Sequence, residues 1–260
     1  MNKKIIHIVS SDAAKERVLR LIKSSDNAEI EVCPTLLSYG ILPEDYTKRE
    51  LAATAASFKN IGWTDDLYKF VHRDYSVYDK VIVWHGRDAG ELLLLYLMAD
   101  LTRDNLYEID VADCEELLQK FICSYRYHFP VIFVAALNIE DMECQNLVGK
   151  YLKKVGEEQQ NQYQSNWEYW RNTTSLIRVC RNNNWEIDSV GEEIIVEKMH
   201  EIMNSDWFRQ IPNREKYSVL LSKLAYDFYV DYSFIDICYR IVDFVLETNT
   251  ELTDNGIFIP

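Results

Sequence analysis

Short strand-like runs rich in Ile, Val and Leu at residues 4–10, 29–33, 79–84 and 106–110 alternate with segments of helical periodicity at 12–23, 47–59, 64–73 and 88–101. A run that is apolar on both of its faces has to be a strand covered from both sides. Neighbouring parallel strands also need a crossover helix between them. This alternation therefore predicts an α/β unit: a mostly parallel sheet with helices on both faces. Val131 to Leu137 reads as one more apolar strand.

Beyond Asn138 the pattern changes to helical spacing almost without strand signal. Tyr163, Trp167 and Trp170 fall at i, i+4 and i+7, and Ile194, Met199, Ile202 and Met203 repeat the theme. From Leu220 to Leu246 apolar residues are interleaved with Asp227, Asp231, Asp236 and Asp243, which suits a helix pair with a solvated acidic face. The expected division is an α/β domain over 1–137 and an all-α C-terminal domain over 138–260, with no Gly-, Pro- or Ser-rich linker between them.

The chain has 260 residues, 48% of them hydrophobic, enough to bury a real core. Acidic residues outnumber basic ones 24 to 17 in residues 1–150 and 18 to 11 in 151–260, so each part carries a net −7. Neither part offers the basic face that binding a phosphate backbone requires, and direct nucleic-acid binding is not expected. The first apolar run is too short for a signal peptide, and the run Leu92 to Ala99 is too short for a membrane span. A soluble cytoplasmic protein with no membrane association is expected. The six cysteines show no paired short spacing, so free thiols are expected rather than a zinc or redox site.

In an open parallel sheet, ligands bind beyond the carboxyl ends of the strands, where loops and helix N-termini converge. Four segments are due there: Ser10-Ser11-Asp12, Thr35 to Gly40, Trp84-His85-Gly86-Arg87-Asp88, and Asp110 to Asp113. Asp12 precedes a helical run and reads first as its N-cap and second as a ligand contact. A carboxylate there fills the pole that a phosphate would occupy, so a simple anion site is disfavoured. Asp88 with Glu91 resembles a capping box. His7 shares a strand face with Ile5 and Val9 and is expected to be buried. His85 is better placed, with Trp84 beside it for stacking and Arg87 for an anion. Ser11, Asp12, Ser38, Gly40, Trp84, His85 and Arg87 are the candidate ligand-binding residues, and His7, Asp12 and His85 the candidate catalytic ones.

The chain lacks a Gly-rich dinucleotide fingerprint, a Lys-Ser/Thr phosphate loop and a Gly-x-Ser-x-Gly elbow. Glu197, His200 and Glu201 share a helix face but read as solvated surface, so no metal and no cofactor are expected.

The stretches "IHIVSSDAA" (6–14), "LLSYGIL" (36–42) and "VIVWHGRDAGELLLLYLM" (81–98) resemble the N-terminal part of the largely bacterial "domain of unknown function 1835" family. The segments 137–171, 185–194 and 244–256 look like the helical "domain of unknown function 3658" that commonly follows it. His7, Asp12, Ser38, Gly40 and Trp84 match the family pattern, whereas Ser11, Ala13 and Ile41 depart from it. The resemblance implies no known reaction. It implies that the strand-end loops form one shared site.

These readings lead to three expectations. The first is a binding or sensing protein for a small polar ligand, and the second a hydrolase or transferase with a His/Asp pair at the sheet edge. The third is a module whose acidic C-terminal domain engages a protein partner.

Overall fold

A computed structural model of the chain describes residues 4–22, 28–35, 37–57, 63–113, 134–137, 147–174, 177–180 and 186–228. Nine α-helices and three 3-10 turns surround a five-stranded sheet and a separate two-stranded one among those residues.

The large sheet is built from β1 (Ile5–Val9), β2 (Ala28–Val32), β3 (Lys80–His85), β4 (Leu106–Asp110) and β5 (Lys153–Lys154), in the order β2-β1-β3-β4-β5. The first four strands are mutually parallel, and β5 pairs antiparallel to β4. The chain thus leaves β1 toward β2 on one side and returns to β3 on the other. Strand order reverses between β1 and β3, and their carboxyl ends are the topological switch point at which open α/β sheets bind ligands.

Two periodicities set the two faces. Successive strand residues point to opposite sides. Ile6, Ile8, Val81, Val83 and Leu106 therefore join one core, with Leu51, Phe70, Leu93, Leu94 and Met98. Val9, Ile82, Trp84 and Ile109 join the other, with Ala14, Val18 and Leu21. The second face is covered by α1 (Asp12–Leu21), whose Ala14, Val18 and Leu21 recur at helical spacing, and by α5 (Leu147–Tyr151). The first face is covered by α2 (Lys48–Ser57), α3 (Thr64–Val71) and α4 (Ala89–Leu101). Apolar on nearly every side, α4 has no solvated stripe, because the sheet lies beneath it and other elements lie over it.

One of those elements is α6 (Glu157–Arg171), whose Trp167 and Trp170 belong to the first core. Gln160 also locks this helix to α4 by donating to the Ala99 and Thr102 carbonyls at 3.1 and 2.9 Å. β5 and α6, which follow residue 137, thus pair with β4 and pack into the first core. A second core forms around the hairpin of β6 (Ile177–Cys180) and β7 (Ile187–Val190) with α7 (Glu192–Asn204), α8 (Asp206–Arg209) and α9 (Asn213–Phe228). The described part of 138–260 thus contains three strands and is not purely helical. The helix pair expected over 220–246 is described only as far as Phe228; residues 229–260 lie outside the described residues. Residues 134–136, expected as part of a strand, form a 3-10 turn. Among the described residues no helix is long and apolar enough to cross a membrane.

Candidate functional site

Parallel register aligns the ends of four strands. His85 lies beside Asp110, Ile8 beside Val83, and Val9 beside Val32. Continuing that register places Ser10 next to His85 and Cys33 next to Ser10, so Cys33, Ser10, His85 and Asp110 form one row across the carboxyl edge. By alternation, the row lies on the face covered by α4 and α6.

Glu91 is the centre of this edge. It sits in the first turn of α4, is 2% exposed, and accepts from Ser10 Oγ at 3.1 Å, Gly86 N at 2.7 Å and Val134 N at 3.0 Å. Asp88 caps α4 by accepting from Glu91 N at 3.0 Å, as the sequence suggested. The Glu91 carboxylate, however, reaches two residues before the cap and stitches the ends of β1 and β3 to the 134–137 turn. Burial pushes its carboxyl up to about 7, and the Val134 and Gly86 N–H groups, Ser10 and His85 oppose that shift.

His85 is 3% exposed. Its Nδ1 lies 3.4 Å from the Gly86 carbonyl oxygen, which can only accept, so that nitrogen carries a proton. Its Nε2 makes no hydrogen bond; Glu108 Oε2 stands 3.5 Å away, in ionic contact but outside hydrogen-bond geometry. Burial pulls the His85 pKa down, yet Glu108, Asp110 and the Gly86 carbonyl push it up by more, leaving it raised. The charged imidazolium is therefore favoured. Glu108 is held in turn by α6, where Tyr163 Oη donates at 2.9 Å and Gln159 Nε2 at 3.1 Å. Burial raises the Glu108 pKa, but His85 and these two donors outweigh it and leave it lowered.

A second unmet group lies at the same edge. Thr35, two residues past Cys33, is 6% exposed, and its hydroxyl has no hydrogen-bond partner. Cys33 is a buried free thiol, and burial pushes it up to about 12, which disfavours the thiolate.

Several sequence candidates fall elsewhere. Trp84 is fully buried on the opposite face from His85, where its Nε1 donates to His7 Nδ1 at 2.9 Å. It is core rather than a stacking platform. That bond leaves His7 Nδ1 a bare acceptor, and His7 is 2% exposed on the α1 face, so His7 and His85 lie on opposite sides of the sheet. Ser11, not Asp12, caps α1 by accepting from Ala14 N at 3.2 Å; Asp12 is an exposed first-turn residue. Arg87 is not held in reserve for an anion, since its Nη2 pairs with Asp110 at 2.8 Å and Asp113 at 3.3 Å.

Ser38 and Gly40 serve as a joint to β6. The Ser38 carbonyl accepts from Arg178 N at 2.8 Å, and the fully buried Arg178 donates through Nη1 to the Gly40 carbonyl at 3.0 Å. Gly40 has φ 80°, a conformation glycine adopts without steric cost.

Sequence reading missed Glu91 as more than a cap partner and missed Glu108 altogether; it brought the Thr35 to Gly40 segment to this edge without singling out Thr35. For Glu108 a signal existed: an acid in the interior of the strand "LYEID" must find partners. Comparisons of the chain with family models, with curated proteins and with solved structures find no match, so the reading of this edge rests on its own geometry.

Proposed function

We propose that the chain is a binding or sensing protein that holds a small polar ligand at the carboxyl edge of the sheet, where β1 and β3 diverge. The observation that carries this reading is His85 at the topological switch point: buried, facing the Glu108 carboxylate at 3.5 Å, and with no hydrogen bond at Nε2. A buried ion pair that stops short of hydrogen-bond geometry, at the position where open α/β sheets bind ligands, supports a polar group supplied from outside.

The similarity of residues 6–14, 36–42 and 81–98 to the "domain of unknown function 1835" family supports a shared strand-end site and belongs to this reading. So does a largely helical C-terminal unit, of the "domain of unknown function 3658" kind, that closes over the edge or meets a basic partner in the cytoplasm. Hydrolase or transferase chemistry with His7 or His85 as base and Asp12 orienting it has less support: both histidines are buried and Asp12 is exposed on α1.

The test is a thermal-shift screen with metabolites and nucleotides. A ligand at a hundred times its Kd stabilises by about 2.7 kcal/mol, which a melting curve resolves. The expected outcome is a shift that His85→Ala abolishes and Asp12→Ala leaves intact. A shift that survives His85→Ala places the site elsewhere and overturns the reading.

A further inference from the structure

We infer that the chain has a second binding site at the opposite, amino edge of the sheet: a cleft between the end of α4 and the start of α6 that takes a zwitterionic α-amino acid. This site is independent of the carboxyl-edge reading.

The cleft encloses about 490 Å³. One wall is the turn after α4, Thr102 to Asp104, and the other is the end of β5 with the first turns of α6. Thr102 to Asp104 precede β4, and Val155 N donates to the Leu106 carbonyl at 3.1 Å, so the cleft lies where β4 begins. His85 and Asp110 stand where their strands end.

Two amide oxygens open into the cleft. Gln160, 8% exposed, donates its amide nitrogen to the Ala99 and Thr102 carbonyls, and Gln164, one turn further along α6, donates to the Ala99 carbonyl at 2.9 Å. A carbonyl only accepts, so both nitrogens are fixed and both oxygens are left for other partners. Neither oxygen has a hydrogen-bond partner among the described residues, and neither is sealed from solvent. A nine-tenths-buried glutamine with an unmatched acceptor on a cleft wall calls for a donor from outside. Asp104, on the facing wall, adds a carboxylate that makes no ion pair with a described residue. Two amide oxygens and a carboxylate suit an ammonium group, which carries three donors and a positive charge.

The start of α6 has the opposite need. Its N-cap, Gly156, supplies no side-chain acceptor to the N–H groups of the first turn. Gly156 has φ −76°, which any residue adopts, and a Cβ there would meet nothing within 4 Å. Neither conformation nor packing requires glycine, and its missing side chain leaves the positive pole of the helix open to the cleft. Arg103 and Lys154 line the same cleft without an ion pair to a described residue. Pole and cations together suit a carboxylate. Gly156 and Gln160 are four residues apart, about 6 Å along the helix axis. The carboxylate and ammonium of an α-amino acid span that distance with a hydrogen bond at each end.

Charge decides the class. Arg103 and Lys154 balance Asp104 and Glu157, so the lining is net neutral. A phosphate would face two carboxylates and a polyamine two cations, whereas a molecule with one charge of each sign pairs with both sets.

The experiment screens the standard amino acids against the full chain by thermal shift. The strongest binder, its decarboxylated amine, its deaminated acid and inorganic phosphate then go to calorimetry on the native chain and on Gly156→Asp, Asp104→Asn and His85→Ala. Aspartate is a better N-cap than glycine and sets its own carboxylate on the pole, so Gly156→Asp should melt at or above the native temperature and still lose the amino acid. Expected is an affinity that falls at least about tenfold in Gly156→Asp and Asp104→Asn and is unchanged in a folded His85→Ala, with the amine, the acid and phosphate each at least about tenfold weaker than the amino acid on the native chain. No shift with any amino acid, an affinity unmoved by Gly156→Asp or Asp104→Asn, or an amine, acid or phosphate that binds as tightly as the amino acid overturns the inference. Binding lost in His85→Ala and kept in Gly156→Asp assigns the amino acid to the carboxyl edge, which overturns the second site and leaves the carboxyl-edge reading standing.

Discussion

At the scale of single residues, burial without full compensation makes this edge sensitive to protons. Folding raises the pKa of both Glu91 and His85. A group whose pKa is raised by folding contributes stability that is complete below its unfolded value and is lost as pH climbs through the folded one. Glu91 should therefore cost stability between about pH 4.5 and 7, and His85 should do so from about 6.5 upward. Each contributes a slope of at most about 1.4 kcal/mol per pH unit. Urea denaturation across pH 5 to 9 should show this fall, and His85→Gln should flatten its upper part; equal slopes in both proteins would show that His85 does not titrate there. Trp84 and His7 make the opposite case, a buried pair with both atoms matched. Trp84→Phe orphans His7 Nδ1 and should cost about 1–3 kcal/mol. It should do so without altering ligand response, because Trp84 faces α1; a ligand shift lost in Trp84→Phe would contradict the two-face assignment.

At the scale of elements, two devices join what the chain separates. The Glu91 carboxylate ties the ends of β1 and β3 to the 134–137 turn, and Arg178 ties the loop after β2 to β6. Burial lowers the Arg178 pKa to about 10, yet the guanidinium persists because the Leu37 and Gly40 carbonyls accept from it. Arg178→Met leaves two buried carbonyls without that donor and should destabilise by about 2–4 kcal/mol. Hydrogen exchange should then rise in residues 37–41 and 177–180 together, and a rise in only one of the two would disprove the joint. Gly40→Ala forces a left-handed residue to carry a Cβ, at about 1–2 kcal/mol. Neither junction was legible in the sequence: Ser38 and Gly40 read as ligand contacts because both stand at a strand end, and their partner lies some 140 positions away.

At the scale of the whole molecule, the first core takes in parts of the chain that follow residue 137. Trp167 and Trp170 from α6 pack with Leu93, Leu97 and Tyr46 beneath one face of the sheet. A chain cut after residue 137 should lack the cooperative thermal melt that a chain cut after residue 174 retains. Within the full chain, Trp167→Ala should cost about 3–5 kcal/mol by opening a large cavity. Circular dichroism melts of the two truncations measure the first, and two stable melts would support the boundary at residue 137. The sequence by itself determined the strand and helix alternation of residues 4–110, because hydrophobic periodicity is local and strong there. It also determined which loops reach the carboxyl edge, since a parallel sheet sends every βα loop to the same side. Only the tertiary structure decided that His7 and Trp84 lie across the sheet from His85, that Glu91 and Glu108 hold the edge, and that α6 belongs to the first core. Those outcomes turn on strand register and long-range packing, which depend on contacts between residues far apart in sequence.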